Sequence, residues 1–135
     1  MKMTTLIVPA LISILGAYRT AVAQPSEKVL DAIKQVESSG VENPPDGDGG
    51  KAIGIFQIWH AYWVDAVAFD KSIGGTYQDC RKPEYARKVV RAYLTRYGGK
   101  NVSDETAARL HNGGPKGHKK SATLKYWRKI QKHLK

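Results

Sequence analysis

Two carboxylates stand out by their settings. Glu37 follows Val36 at the end of a stretch with helical apolar spacing, whereas Asp48 lies inside Asp46-Gly47-Asp48-Gly49-Gly50. A carboxyl at the edge of a packed helix is partly desolvated, which is expected to raise its pKa and let it hold a proton near neutrality. A carboxyl in a glycine-rich turn keeps water and backbone amides around it and is expected to stay ionised. Such a divided pair is what glycosidic cleavage requires: one acid protonates the leaving oxygen and the other stabilises or captures the cationic sugar. The residues alone leave a plainer reading open, with Glu37 a solvated helix end and Asp46 and Asp48 turn formers.

Other chemistries find less support. The histidines at 60, 111, 118 and 133 show no paired ligand spacing and the single cysteine is isolated, so neither a metal nor any other cofactor is expected. No serine sits on a strand-to-helix elbow. Cys80 with His111 as its base is a poor nucleophile, because Asp79 opposes thiolate formation even though Arg81 favours it. The glycine-rich stretch lacks the lysine and helix of a nucleotide loop, and the Asp-Gly-Asp run lacks the spacing and terminal glutamate of a calcium loop.

The elements that must position these residues are mostly helical. Pro25-Ser26 opens a helical stretch on which Val29, Leu30, Ile33 and Val36 recur, with Glu27 in its first turn, Glu37 in its last and Gly40 just past the end. Residues 41–54 are rich in proline and glycine and read as loop, and 52–58 read as a short strand or buried turn. A short apolar helix over 61–69, a glycine-containing loop over 73–81 and a longer helix over about 83–97 follow. Ser103 is an expected N-cap for a helix reaching His111, and Ser121 or Thr123 for a last helix with Leu124, Trp127, Ile130 and Leu134 on its apolar face. The expected fold class is α+β, mostly helical, with one small irregular β region.

The chain has 135 residues, 41% of them hydrophobic, with 22 Lys+Arg against 12 Asp+Glu. That is one ordinary domain, too apolar for a disordered chain, and one cysteine excludes a disulfide-stapled scaffold. The first segment reads as a secretory leader over residues 1–23. Lys2 precedes the apolar run Leu6–Ala17, and Ala21-Val22-Ala23 stands before Gln24. The run is well short of the roughly 20 residues that span a bilayer, and no second one follows, so no membrane span is expected. Removal of 1–23 leaves a domain at 24–135 with 112 residues and a formal charge of +8. Such a charge favours polyanions, an anionic cell wall before nucleic acid, because no nucleic-acid recognition pattern occurs. A monomer is expected.

Five short motifs carry a family resemblance. Glu37-Ser38-Ser39-Gly40, Asp48-Gly49-Gly50, Gly54-Ile55-Phe56-Gln57-Ile58, Tyr62-Trp63-Val64-Asp65 and His111-Asn112-Gly113-Gly114-Pro115, the last followed by Thr123 and Tyr126-Trp127, occur in the order found in invertebrate-type lysozymes, the destabilase family. The resemblance spans nearly all of residues 24–135. It implies a lysozyme-like α+β fold and hydrolysis of the β-1,4 bond between N-acetylmuramic acid and N-acetylglucosamine in peptidoglycan. Glu37 matches the general acid of the family and Asp48 its second carboxylate, with Asp46 as the fallback because animal members have one more residue before the Phe-Gln-Ile element. His111 and Asn112 match residues lining the substrate cleft, with Gln57 near them.

The chain also departs from the animal members. Gly40, Ala66 and His118 stand where those proteins commonly place cysteines, so it resembles a cysteine-poor, bacterial branch. Lys51, Ala52 and Ile53 occupy the turn in which a serine is linked to isopeptide cleavage, and that second activity is not expected. Two competing functions remain: a lytic transglycosylase using Glu37 alone, and a non-catalytic cationic wall-binding or antibacterial protein with Lys116, Lys119 and Lys120 as its contact loop. Trp59, Trp63 and Trp127 could stack on sugar rings, but Trp63 and Trp127 are expected in the core.

Overall fold

A computed structural model describes residues 24–135; the expected leader lies outside the described residues. Helix α1 spans Glu27–Ser38. It is capped by Ser26, whose Oγ accepts from Val29 N at 3.1 Å and donates to Asp104 at 2.7 Å, joining the starts of two helices. A 3₁₀ turn at Asp48–Gly50 leads into β1, Ala52–Ile53, which pairs antiparallel with β2, Ile58–Trp59, in the register Ala52–Trp59 and Ile53–Ile58. The hairpin docks through Gly54. A Cβ there would stand 2.1 Å from the carbonyl oxygen of Cys80, and its φ of +73° suits glycine, so no other residue fits.

Helix α2, His60–Phe69, starts one residue earlier than expected. The segment expected as plain loop is more ordered than its glycines suggested. A 3₁₀ turn at Lys71–Ile73 runs into it, and a second at Tyr77–Arg81 lies within it, closed by a reciprocal cap between Thr76 and Asp79. Helix α3, Pro83–Gly98, and helix α4, Asp104–Gly113 with Ser103 as N-cap, follow as expected to within a residue or two.

Helix α5 spans Leu124–Gln131, but neither Ser121 nor Thr123 caps it with a side chain. A 3₁₀ turn at Ser121–Thr123 runs directly into it and buries Thr123. The Thr123 hydroxyl accepts from Arg109 Nε at 2.9 Å and lies 2.8 Å from the carbonyls of both Gly117 and Lys120. It therefore ties the loop after α4 to α4 itself. Gly117 completes that tie, since a Cβ there would lie 2.0 Å from the Arg109 carbonyl oxygen.

Helix α4 lies among α1, α3 and α5. Leu30 and Ile33 of α1, Val89, Val90 and Leu94 of α3, Leu110 of α4 and Ile130 of α5 are fully buried around it. Phe56 and Ile58 extend this core under the hairpin. Trp63 and Trp127 pack against the core, as expected, while Trp59 is 45% exposed. Among the described residues no helix is long and apolar enough to cross a membrane.

Candidate active site

The last turn of α1, the Asp48 turn, the hairpin, α2 and the end of α4 enclose one cavity of about 460 Å³. Glu37, Asp48, Gln57, His111 and Asn112 all line it, together with Trp59, Tyr62, Asp65 and Tyr93. Asp46 does not. Its carboxylate is held by the Arg81 guanidinium at 2.6 and 3.0 Å, outside the cavity, and this fork holds it below the usual aspartate range.

Glu37 is partly buried, its side chain 21% exposed. Its Oε1 accepts from Tyr126 Oη at 2.8 Å and lies 3.5 Å from His111 Nε2. Desolvation is the largest single influence and pushes the carboxyl up. The His111 hydrogen bond and charge, the Tyr126 hydroxyl and Lys129 together outweigh it and bring the pKa below the ordinary glutamate value. This corrects the sequence expectation of a raised pKa, which counted burial but not the donors that α4 and α5 bring to the same oxygen.

The His111 side chain is only 3% exposed and is held at both nitrogens. Nδ1 lies 3.0 Å from Tyr62 Oη, and Nε2 lies 3.1 Å from the Phe56 carbonyl as well as near Glu37. Nε2 faces two acceptor oxygens and so donates on that side, while Nδ1 pairs with the Tyr62 hydroxyl. Tyr62 in turn stacks on Tyr93 with ring centroids 3.5 Å apart. The result is a rigid wall running from α3 through α2 to the carboxyl on α1.

Asp48 has a different environment. It is exposed, its φ is +50°, and its Oδ2 accepts from Trp59 Nε1 at 3.1 Å. Lys51 Nζ stands 5.7 Å from the centre of the Trp59 ring. Gln57 braces this turn from below. Its Nε2 donates to the carbonyls of Gly54 at 3.0 Å and Pro45 at 3.4 Å, and its Oε1 presses on Gly47 so closely that a Cβ there would be 2.2 Å away. Gln57 thus borders the cavity and also shapes the loop that presents Asp48. Asn112 is exposed on the opposite rim.

Two residues of the motifs that carry the resemblance were given no role from the sequence. Tyr126 sits 89 positions from Glu37, just outside the cavity lining, and its hydroxyl reaches the carboxyl only through the packing of α5 on α1. Asp65 lines the cavity while accepting from Tyr97 Oη at 2.8 Å. Its spacing of three from Tyr62 on α2 puts the two on one helix face, a signal that would have found it.

A mostly helical domain with a small hairpin thus holds one shielded and one exposed carboxyl, Glu37 and Asp48, on a single cleft. The destabilase profile matches residues 26–133. Lysozyme 1 of Crassostrea virginica is 43% identical over 124 residues, which cover 86% of this chain but 62% of that protein, so less than two thirds of its length is matched. The lysozyme of Ostrea edulis is 35% identical over 78% of this chain and 79% of its own. The crystal structure of Tapes japonica lysozyme superposes with a TM-score of 0.67 at 35% identity, covering 79% of this chain and 89% of that one. Meretrix lusoria lysozyme, in its complex with Aeromonas hydrophila PliI, gives 0.68 at 35% identity over 79% and 88% of the two chains. The chain belongs to the destabilase family, the invertebrate-type lysozymes.

Proposed function

We propose that this protein is a muramidase that hydrolyses the β-1,4 bond between N-acetylmuramic acid and N-acetylglucosamine in peptidoglycan. Glu37 is the general acid and Asp48 the second carboxylate. One observation carries the reading: the two lie on one cavity in opposite environments, Glu37 shielded and hydrogen-bonded through a single oxygen, Asp48 open to water.

Tyr126 and His111 both engage Oε1, which leaves Oε2 as the oxygen that carries the proton. A sugar chain in the cleft displaces water from Glu37 and strengthens desolvation, the influence that favours the protonated form. Glu37 then gives its proton to the leaving glycosidic oxygen. Asp48, steadied by the Trp59 indole, faces the positive charge that develops on the sugar ring. Gln57 and Asn112 border the glycan path, and His111 holds Glu37 in place. Residues 1–23 act as a leader cleaved after Ala23, so the enzyme works outside the membrane that its precursor crosses.

Purified peptidoglycan is the test substrate. Wild type should release muropeptides with reducing ends, and Glu37→Gln should lose about 10²–10⁴-fold in rate. Products ending in 1,6-anhydro sugars, formed equally well by Asp48→Asn, would make it a transglycosylase. No soluble products at all would end the enzymatic reading.

A further inference from the structure

The positive charge of this protein is segregated. Residues 24–105 hold 11 Lys+Arg and 12 Asp+Glu, close to neutral, whereas residues 106–135 hold nine Lys+Arg and no Asp or Glu. Ion pairing follows the same division. In the first part Arg81, Lys82, Arg87, Arg91 and Arg96 all have carboxylate partners. Among the described residues of the second part, only Arg109 has one, Glu105. The other eight cations are all exposed.

On α5 these charges form a stripe. Lys125 and Arg128 on the helix and Lys132 at its C-cap, which keeps helical backbone angles, follow each other at three and four positions, about 4.5 and 6 Å apart in rise. Like charges at that spacing repel, and among the described residues none of the three has an Asp or Glu partner. Lys116 and Lys119 are likewise exposed, in the segment that directly follows Pro115 at the rim of the cleft. We propose that this face binds the phosphodiester polymer carried on peptidoglycan, so that the wall is held by its anionic chain while the adjacent cleft works on its glycan. The choice of wall polymer rests on the muramidase reading; the presence of a polyanion site does not.

Three observations narrow the partner. The apolar side of α5 is spent on the core, with Tyr126 and Ile130 buried and only Leu124 partly out, so the helix has no apolar face to lay into a lipid surface. No aromatic ring is exposed on the stripe, and Trp127 packs against the core, so nothing stacks on nucleic-acid bases. Most of the cations are lysines, point charges that suit a flexible polymer without fixed geometry better than a planar bidentate anion.

The test uses Glu37→Gln protein, which leaves walls intact, and co-sedimentation with walls that carry their phosphodiester polymer or have had it extracted by acid. Intact walls should bind at least tenfold more tightly than extracted ones. Adding Lys125→Gln, Arg128→Gln and Lys132→Gln should remove that difference and reduce the slope of log affinity against log salt by about two. In otherwise wild-type protein, the same triple change should leave the release of reducing ends from extracted peptidoglycan intact. Equal binding to both wall preparations, or a triple variant that binds intact walls like its parent, overturns the proposal. So does equally tight binding to phosphatidylglycerol vesicles or to single-stranded DNA. Because adsorption is read with an inactive enzyme, failure here and failure to cleave peptidoglycan are separate results.

Discussion

Replacing Tyr126 with phenylalanine removes one oxygen and leaves a ring of the same shape, so it isolates the hydrogen bond to Glu37. That bond, at 2.8 Å, stabilises the carboxylate over the protonated acid. A hydrogen bond to a charged group contributes about 1.5–3 kcal/mol, and each 1.4 kcal/mol is a tenfold change in an equilibrium. Glu37 retains His111 and some solvent, so the low end of that range applies, and the variant should hold about tenfold more acid form at a given pH on the alkaline side. The sign is what matters. If Glu37 donates the proton, the alkaline limb of kcat/KM against pH moves upward in Tyr126→Phe, and activity at alkaline pH rises relative to each enzyme's own plateau. Thermal melting should change little, because no cavity is created. An alkaline limb that stays put or moves down, in a protein that melts normally, would refute the assignment of Glu37 as the acid controlled by Tyr126.

Asp46→Asn should keep most of the activity, since its partner is Arg81 outside the cavity, whereas Asp48→Asn should reduce kcat about 10²–10³-fold on peptidoglycan. Gly117→Ala should lower stability by about 1–3 kcal/mol in urea unfolding, because the added carbon meets a backbone oxygen that cannot swing away. The pKa of Glu37 is lowered below 4.5 and those of Asp31, Asp46 and Asp79 below 3.8. Groups with depressed folded values contribute stability above their unfolded values and lose it as pH falls through the folded ones. The urea midpoint should therefore be level with respect to these groups above about pH 5 and fall steadily from about pH 4.5 downward. A midpoint that rises on acidification would contradict these contacts.

What could be read from the sequence was local. Ser26, the apolar spacing of α1 and Gly40 were enough to put Glu37 on a last helical turn, and the glycines around Asp48 were enough to make a turn. Choosing Asp48 over Asp46 required Arg81, 35 positions away, which occupies Asp46. The direction of the Glu37 pKa depended on donors 74 and 89 positions away, and helix-edge burial alone gave the wrong sign. Thr123 illustrates the same limit. A threonine before an apolar stretch has the form of a cap, but tertiary contacts recruited its hydroxyl for Arg109 and for two carbonyls of the preceding loop instead.

That small tie at Thr123 has a consequence for where the protein can operate. The loop is fastened by reversible hydrogen bonds and a glycine, and Cys80 is buried with its thiol pushed up to about 12. Nothing in the fold has to be oxidised. A chain with one cysteine has no internal disulfide to form, scramble or lose, so a reductant removes none of its crosslinks and its fold does not depend on redox potential.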